Sequence, residues 1–302
     1  MSTEGSLKAV IVAGVGNLII SAIKLIVSFI TGSAGMFAES IHSFADTANQ
    51  ILLIVGSKRS KKEPDEQHAF GYGKEEYFYG LLVGVLLFFV GGLYSVYEGI
   101  HKIIEPEGLS NMMWIFIVLI ISIIIEANSF YIAFKRFKKD KHRKVSWLNH
   151  LKNSTDANIF VIIIEDFAAL TGLVIVLLST TLAICISPVF DAIGSITIGL
   201  LLLSSSYFLS NEFRKLMIGE SISREMRMHI KQIIKSYPDV KHINNMRSEY
   251  NGNNKFILAM SLDLEDDIHV YKVESIISEM KADITAAYSN AEMIYIETSH
   301  SH

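Results

Sequence analysis

Four polar side chains stand where an apolar helix should have none. Glu39, His42, Asp46 and Asn49 fall inside Ala34–Val55, a stretch long enough to cross a bilayer. An ionisable side chain at mid-bilayer costs about 2.5–3.5 kcal/mol on insertion scales, so each one needs a reason. At about 100° per residue, all four fit an arc of about 80° on one helix face. His42 and Asp46 stand at i and i+4, so both can ligate one ion. Imidazole with carboxylate suits zinc and other first-row divalent ions and does not suit sodium or an organic solute. The competing reading is a polar pair that bonds neighbouring helices. A second apolar run, Ile159–Ile186, holds Glu165-Asp166. Adjacent residues point about 100° apart, so at most one aims squarely at the first group. Asp166 is expected to be the direct ligand. Glu165 is a second ligand, a proton carrier or a partner for another span. Glu39, Asn49 and Glu126 are accessory or relay candidates, with structural roles open to each.

These residues need a membrane scaffold, and the composition supplies one. Of 302 residues, 50% are hydrophobic and 19% charged, against about 25% charged in soluble domains. Six apolar runs are long enough to span: Ala9–Ile30, Ala34–Val55, Tyr77–Ile104, Met112–Phe134, Ile159–Ile186 and Val189–Leu209. The first is too long for a cleavable signal peptide, and Lys24 interrupts it. Lys24 is expected to snorkel towards a headgroup region. Four prolines and one cysteine exclude a disulfide framework, a Pro-rich linker and a Cys-based zinc module. A net charge of −4 argues against a nucleic-acid binder. Basic residues crowd alternate loops: Lys58, Arg59, Lys61, Lys62 and Lys74 after the second run, then Lys135–Lys152 after the fourth. The opposite turns are bare, with Lys102 the nearby exception. Both termini are therefore expected in the cytoplasm.

The chain divides into a membrane domain, residues 1–211, and a cytoplasmic domain, residues 212–302. In the second, Ser223–Lys235 has helical spacing and Ser223 can cap it. Val240–Tyr250 is a strand candidate, and Asn251-Gly252-Asn253-Asn254 is a turn cluster before the alternating Lys255–Leu264, a hairpin signal. Val270–Tyr288 reads as a helix and Ala291–Glu297 as a closing strand. The order αββαβ suits a small ferredoxin-like sheet with two helices on one face. So small a domain has a thin core, and pairing with a second copy would help it.

Taken together, these features resemble the cation diffusion facilitator family of divalent-metal/proton antiporters, nearest its zinc-transporter-9-like branch. Three patterns carry the resemblance: the turn into the second span, Gly32-Ser33-Ala34-Gly35-Met36-Phe37-Ala38-Glu39-Ser40-Ile41-His42-Ser43-Phe44-Ala45-Asp46; the loop His68-Ala69-Phe70-Gly71-Tyr72-Gly73-Lys74-Glu75-Glu76; and Asp191-Ala192-Ile193-Gly194-Ser195. The resemblance implies a six-helix transmembrane bundle, a metallochaperone-like C-terminal domain and a homodimer through that domain. It implies a metal site of His42, Asp46 and Asp166. Ile162 stands where the family's fourth ligand would be, and Glu165 is the replacement at hand. A loop metal site would fall on Asp65 and His68, with Tyr72 in place of its second histidine. Lys74 is expected to pair with an acid after the sixth span, Glu220, at the interdomain hinge. The family's C-terminal sensing histidines fall on Asn244 and Ile296, and the tail His300 and His302 read as a frayed terminus.

The function expected is secondary active efflux of a divalent metal, zinc first, in exchange for protons, with the lipid bilayer as its setting and no cofactor. Metal binding needs an unprotonated imidazole and ionised carboxylates, so it competes with protons. Manganese, iron or cobalt remain alternatives, since oxygen-rich sites suit harder ions. A membrane-anchored metal sensor or scaffold would not need aligned charges in the second span. A membrane metalloenzyme would need a second intramembrane histidine. Lys/Ile-rich usage fits a bacterium, which would place the chain in the cell membrane.

Overall fold

The computed structural model describes residues 3–106, 108–139, 157–252 and 254–300; side chains of residues 136–165, Glu165 among them, lie outside that description. Most of the basic run 135–152 lies outside it too. Six long helices come first: α1 (Thr3–Thr31), α2 (Ala34–Arg59), α3 (Glu75–Ile104), α4 (Met112–Lys139), α5 (Ala157–Cys185) and α6 (Val189–Ile218). A small α/β region follows: α7 (Arg224–Lys235), β1 (Val240–Tyr250), β2 (Phe256–Leu264), α8 (Val270–Ala287) and β3 (Ala291–Thr298). The order αββαβ is the one the sequence pattern implies.

Among the described residues, four stretches are long and apolar enough to cross a membrane: Glu75–Ile104, Met112–Ile132, Asp166–Cys185 and Val189–Ile218. Helix α1 adds a shorter apolar segment, Val15–Thr31. Helix α2 falls below that apolarity because its polar face dilutes it. Helix α6 continues past Leu209 to Ile218. Helix α3 contains a π-helical stretch, Leu87–Leu93. Beside it α3 meets α6 almost backbone to backbone: a Cβ on Gly92 would overlap Leu203, and one on Gly199 would overlap Val96.

The chain forms two compact units, residues 1–56 with 79–213, and residues 57–78 with 214–302. All six long helices feed the first core: Val27, Met36, Leu87, Leu119, Leu173 and Leu202 are each buried in it. Its α1–α2 turn is fastened from three sides. Gly32 turns the chain at φ 69°, a left-handed value that glycine takes without strain. Asp191, in the first turn of α6, accepts from Ser33 Oγ and Ala34 N, both at 2.6 Å. Ser33 Oγ in turn accepts from Met36 N at 3.1 Å. Asp191 thus completes the N-cap of α2 from another helix, satisfying donors that a helix start leaves open. Lys102 of α3 donates to the Gly32 carbonyl, and Ser110 N donates to the Thr31 carbonyl at 3.0 Å. The one basic exception on the bare side is therefore a fastening of this turn.

In the second unit β2 is central, antiparallel to β1 and parallel to β3. Phe256, Leu258, Met260, Leu262 and Leu264 alternate onto one face of β2. They share a single core with Ile230 and Ile234 of α7 and with Ile276, Met280 and Ile284 of α8. Both helices therefore cover one face. Ser223 caps α7 by accepting from Met226 N at 3.2 Å. The hairpin turn closes through Asn251 N to the Lys255 carbonyl at 2.8 Å. Residues 57–78, which are the end of α2, the loop after it and the start of α3, belong to this unit. Asn251 Nδ2 donates to the Phe70 carbonyl at 2.8 Å and Gly252 N to Tyr77 Oη at 2.9 Å. A Cβ on Gly73 would overlap the Asn251 carbonyl.

Candidate functional site

Helix α2 carries its polar face inward. Glu39 is fully buried, His42 and Asn49 are nearly so, and the Asp46 side chain is 20% exposed. His42 Nδ1 lies 3.7 Å from Asp46 Oδ1. That is too long for a hydrogen bond, but it leaves both groups able to turn to one ion. Neither His42 nitrogen, nor Glu39 Oε2, nor Asp46 Oδ1 has a hydrogen-bond partner among the described residues. Buried polar atoms with nothing to bond are costly and call for an explanation.

The Lys24 expectation is corrected. The side chain does not snorkel: it is wholly buried, with Nζ 3.2 Å from Glu39 Oε1 and donating to Ser43 Oγ at 2.7 Å. A carboxylate one turn before His42 holds it inside, because a matched buried charge is cheaper than an isolated one. The other Glu39 oxygen faces Gly172 of α5, where a Cβ would come within 2.9 Å of it.

Helix α4 packs on both α1 and α5. On α5, Asp166 Oδ2 accepts from Ser129 Oγ of α4 at 3.2 Å. Asp166 and Asp46 are electrostatic neighbours, and Glu126 of α4 lies in the field of Lys24, Glu39, Asp46 and Asp166. The described residues thus bring His42 to Asp46 and Lys24 to Glu39, with Asp166 and Glu126 facing the same charges. Among the described residues no three His, Cys, Asp or Glu groups converge closely enough to hold a metal ion. Asp166 is turned to Ser129 instead, and the Glu165 side chain lies outside the description.

The loop candidates have other occupations. The Asp65 carboxylate accepts from Tyr72 Oη at 2.6 Å, Lys62 Nζ at 3.1 Å, and the backbone N–H groups of Gln67 and His68 at 3.1 and 2.8 Å. His68 Nδ1 stands 3.4 Å from Asp65 Oδ1 and its ring lies over Tyr72. The Tyr72 hydroxyl first, then the His68 amide and Lys62, hold the Asp65 carboxyl well below the usual carboxylate range. At the expected hinge, Lys74 Nζ pairs with Glu249 Oε1 of β1 at 3.3 Å, and the Glu220 carbonyl accepts from Tyr250 N, the residue next to Glu249. In the tail, His300 Nδ1 approaches Asp263 and Asp266 at 3.7 and 3.8 Å, and His302 lies outside the described residues.

Reading along the chain missed Ser43, Ser129, Gly172 and the capping role of Asp191. Only Asp191 had a visible signal, an acid in the first turn of an apolar helix.

Comparison with known proteins gives two family matches: the cation efflux transmembrane domain over residues 10–217, and the cation efflux protein cytoplasmic domain over residues 222–299. A curated relative, the mitochondrial proton-coupled zinc antiporter SLC30A9 of Xenopus laevis, is 31% identical over 88% of this chain and 48% of its own length. The chain thus spans about half the length of that relative. The manganese efflux system protein MneP of Bacillus subtilis (strain 168) is 24% identical over 97% of this chain and 96% of its own length. A solved cadmium form of the MamM C-terminal domain is 14% identical, covering 26% of this chain and 98% of that domain, at a TM-score of 0.24.

Proposed function

Since the chain belongs to the cation efflux family, we propose that it exports a divalent transition metal, zinc first, across its membrane in exchange for protons. The chain is an integral, multi-pass membrane protein. The observation that carries the proposal is the buried His42–Asp46 pair, one helical turn apart, with unfilled bonding capacity inside a membrane helix. The relatives' names support it, one being a proton-coupled zinc antiporter and another a manganese efflux protein.

In the cycle, His42, Asp46 and Asp166 take a dehydrated cation, with Glu165 or water as the fourth ligand. Asp166 leaves Ser129 to do so. The carboxylates replace the hydration the ion has lost. Protons arriving from the far side compete for the same nitrogen and oxygens and release it. Glu126, Glu39 and Asn49 act as accessory groups beside the path. Residues 1–211 form the transport domain. Residues 212–302 form a cytoplasmic domain that pairs two copies of the chain. Both termini face the cytoplasm, and in a bacterium the membrane is the cell membrane.

Manganese is the second reading. Ile162 leaves α5 with carboxylates and no imidazole, and oxygen donors suit the harder ion. The test is flux from reconstituted vesicles under an imposed pH gradient, with zinc, manganese, iron and cobalt in turn. Zinc is expected to move fastest, only with the gradient, and Asp46→Ala and Asp166→Ala should abolish it. Wild-type flux in either variant would overturn the proposal.

A further inference from the structure

Lys24 is a buried charged group that the transport cycle above does not use. Its side chain is wholly buried although a lysine stem is long enough to reach towards a headgroup region. Its Nζ is held by Glu39 Oε1 at 3.2 Å and by Ser43 Oγ at 2.7 Å. Both partners sit on α2 beside His42, Glu39 one turn before it and Ser43 next to it. The titratable groups around it are Glu39, His42 and Asp46 of α2, Glu126 of α4 and Asp166 of α5. Four carboxylates gathered in a medium of low dielectric repel one another strongly when no metal is bound. A cation placed among them relieves that repulsion, and this one is tethered to α1.

We propose that Lys24 is a built-in counter-cation of the metal site, paired to Glu39, which sets the charge an entering divalent ion meets and so keeps it releasable. This rests on the transport reading of the site. A conducting site must bind well enough to load and weakly enough to discharge. Without Lys24 the carboxylates would present one more net negative charge to the ion and hold it too tightly. Glu39 is then partner to the lysine and not a ligand. Its second oxygen, Oε2, unpartnered among the described residues, faces Gly172 of α5.

The sign of the affinity change separates this role from mere support of the helices. The chain in nanodiscs is titrated with zinc, and vesicle flux is read alongside. Lys24→Gln should bind zinc more tightly, on the order of tenfold, and turn over more slowly. Glu39→Gln, which leaves the ammonium uncompensated, should bind more weakly by a similar factor. The Lys24→Gln/Glu39→Gln double variant removes both charges and should return towards wild-type affinity, and Lys24→Arg should stay near it. Should Lys24→Gln fail to fold, Glu39→Gln against the double variant reads the same charge. Weakened binding in Lys24→Gln, or a double variant as weak as Glu39→Gln, would overturn the inference. Wild-type affinity in both single variants would overturn it alone, whereas a wild-type protein that neither binds nor moves any of the four metals would overturn the transport reading and this inference with it.

Discussion

Tyr72 stands where the resemblance led to a second loop histidine, and its hydroxyl is the group that holds Asp65. A carboxylate already taking four hydrogen bonds is a structural knot of the loop, with little capacity left for a cation. Its lowered pKa gives the pH dependence a sign. The folded-state value lies below the unfolded one, near about 4, so the contact's contribution is complete above that pH and is lost as pH falls through the depressed value. Tyr72→Phe should raise the Asp65 titration towards the ordinary aspartate range, followed by carboxyl-carbon NMR. An Asp65 that titrates identically in both proteins would show that the hydroxyl does not hold it. The inward polar face of α2 was legible from spacing alone, because four polar residues on one face of an apolar run have few explanations. The state of Lys24 was not. A lysine in an apolar run reads as snorkelling until its partner is known, and Glu39 lies fifteen residues away on another helix.

At the scale of elements, local rules reached far into the C-terminal region. The Ser223 cap, the apolar spacing of Ile230 and Ile234, and the Asn251-Gly252 turn each act within a few residues, and α7 and the β1–β2 hairpin follow from them. Contacts between distant segments were invisible by the same logic. Asp191 caps α2 across 157 residues of sequence, and Lys74 meets Glu249 of a distant strand where the loop after α2 docks at the hairpin turn. The cap matters to the site because α2 carries His42 and Asp46, and its first turn is fixed by Asp191. Asp191→Ala should leave the Ser33 hydroxyl and the Ala34 N–H without their acceptor, at about 1–3 kcal/mol. A lowered thermal midpoint in detergent, with a smaller drop for Asp191→Asn, is the expected result. An unchanged midpoint would mean the turn is held by Lys102 and Ser110 alone.

At the scale of the whole molecule, function depends on direction. Basic loops at Lys58–Lys62 and Lys74, against the nearly bare turns at Thr31–Ser33 and Ser187-Pro188, are the basis of the proposed orientation with both termini in the cytoplasm. The fastening of Lys102 to the Gly32 carbonyl accounts for the single basic side chain near the bare side. Epitopes at both termini should therefore resist protease added outside intact cells and be cut once the membrane is opened, while one engineered between Glu105 and Asn111 should be cut in intact cells. Cleavage of either terminus from outside would reverse the proposed direction of transport. Whether α2 and α5 together hold the transported ion is tested by anomalous diffraction from zinc-loaded crystals of the full chain. A peak is expected about 2.0–2.2 Å from a His42 nitrogen and from carboxylate oxygens of Asp46 and Asp166, with Asp166 released from Ser129. Zinc bound elsewhere while Asp166 keeps its hydrogen bond to Ser129 and His42 stays unligated would contradict it.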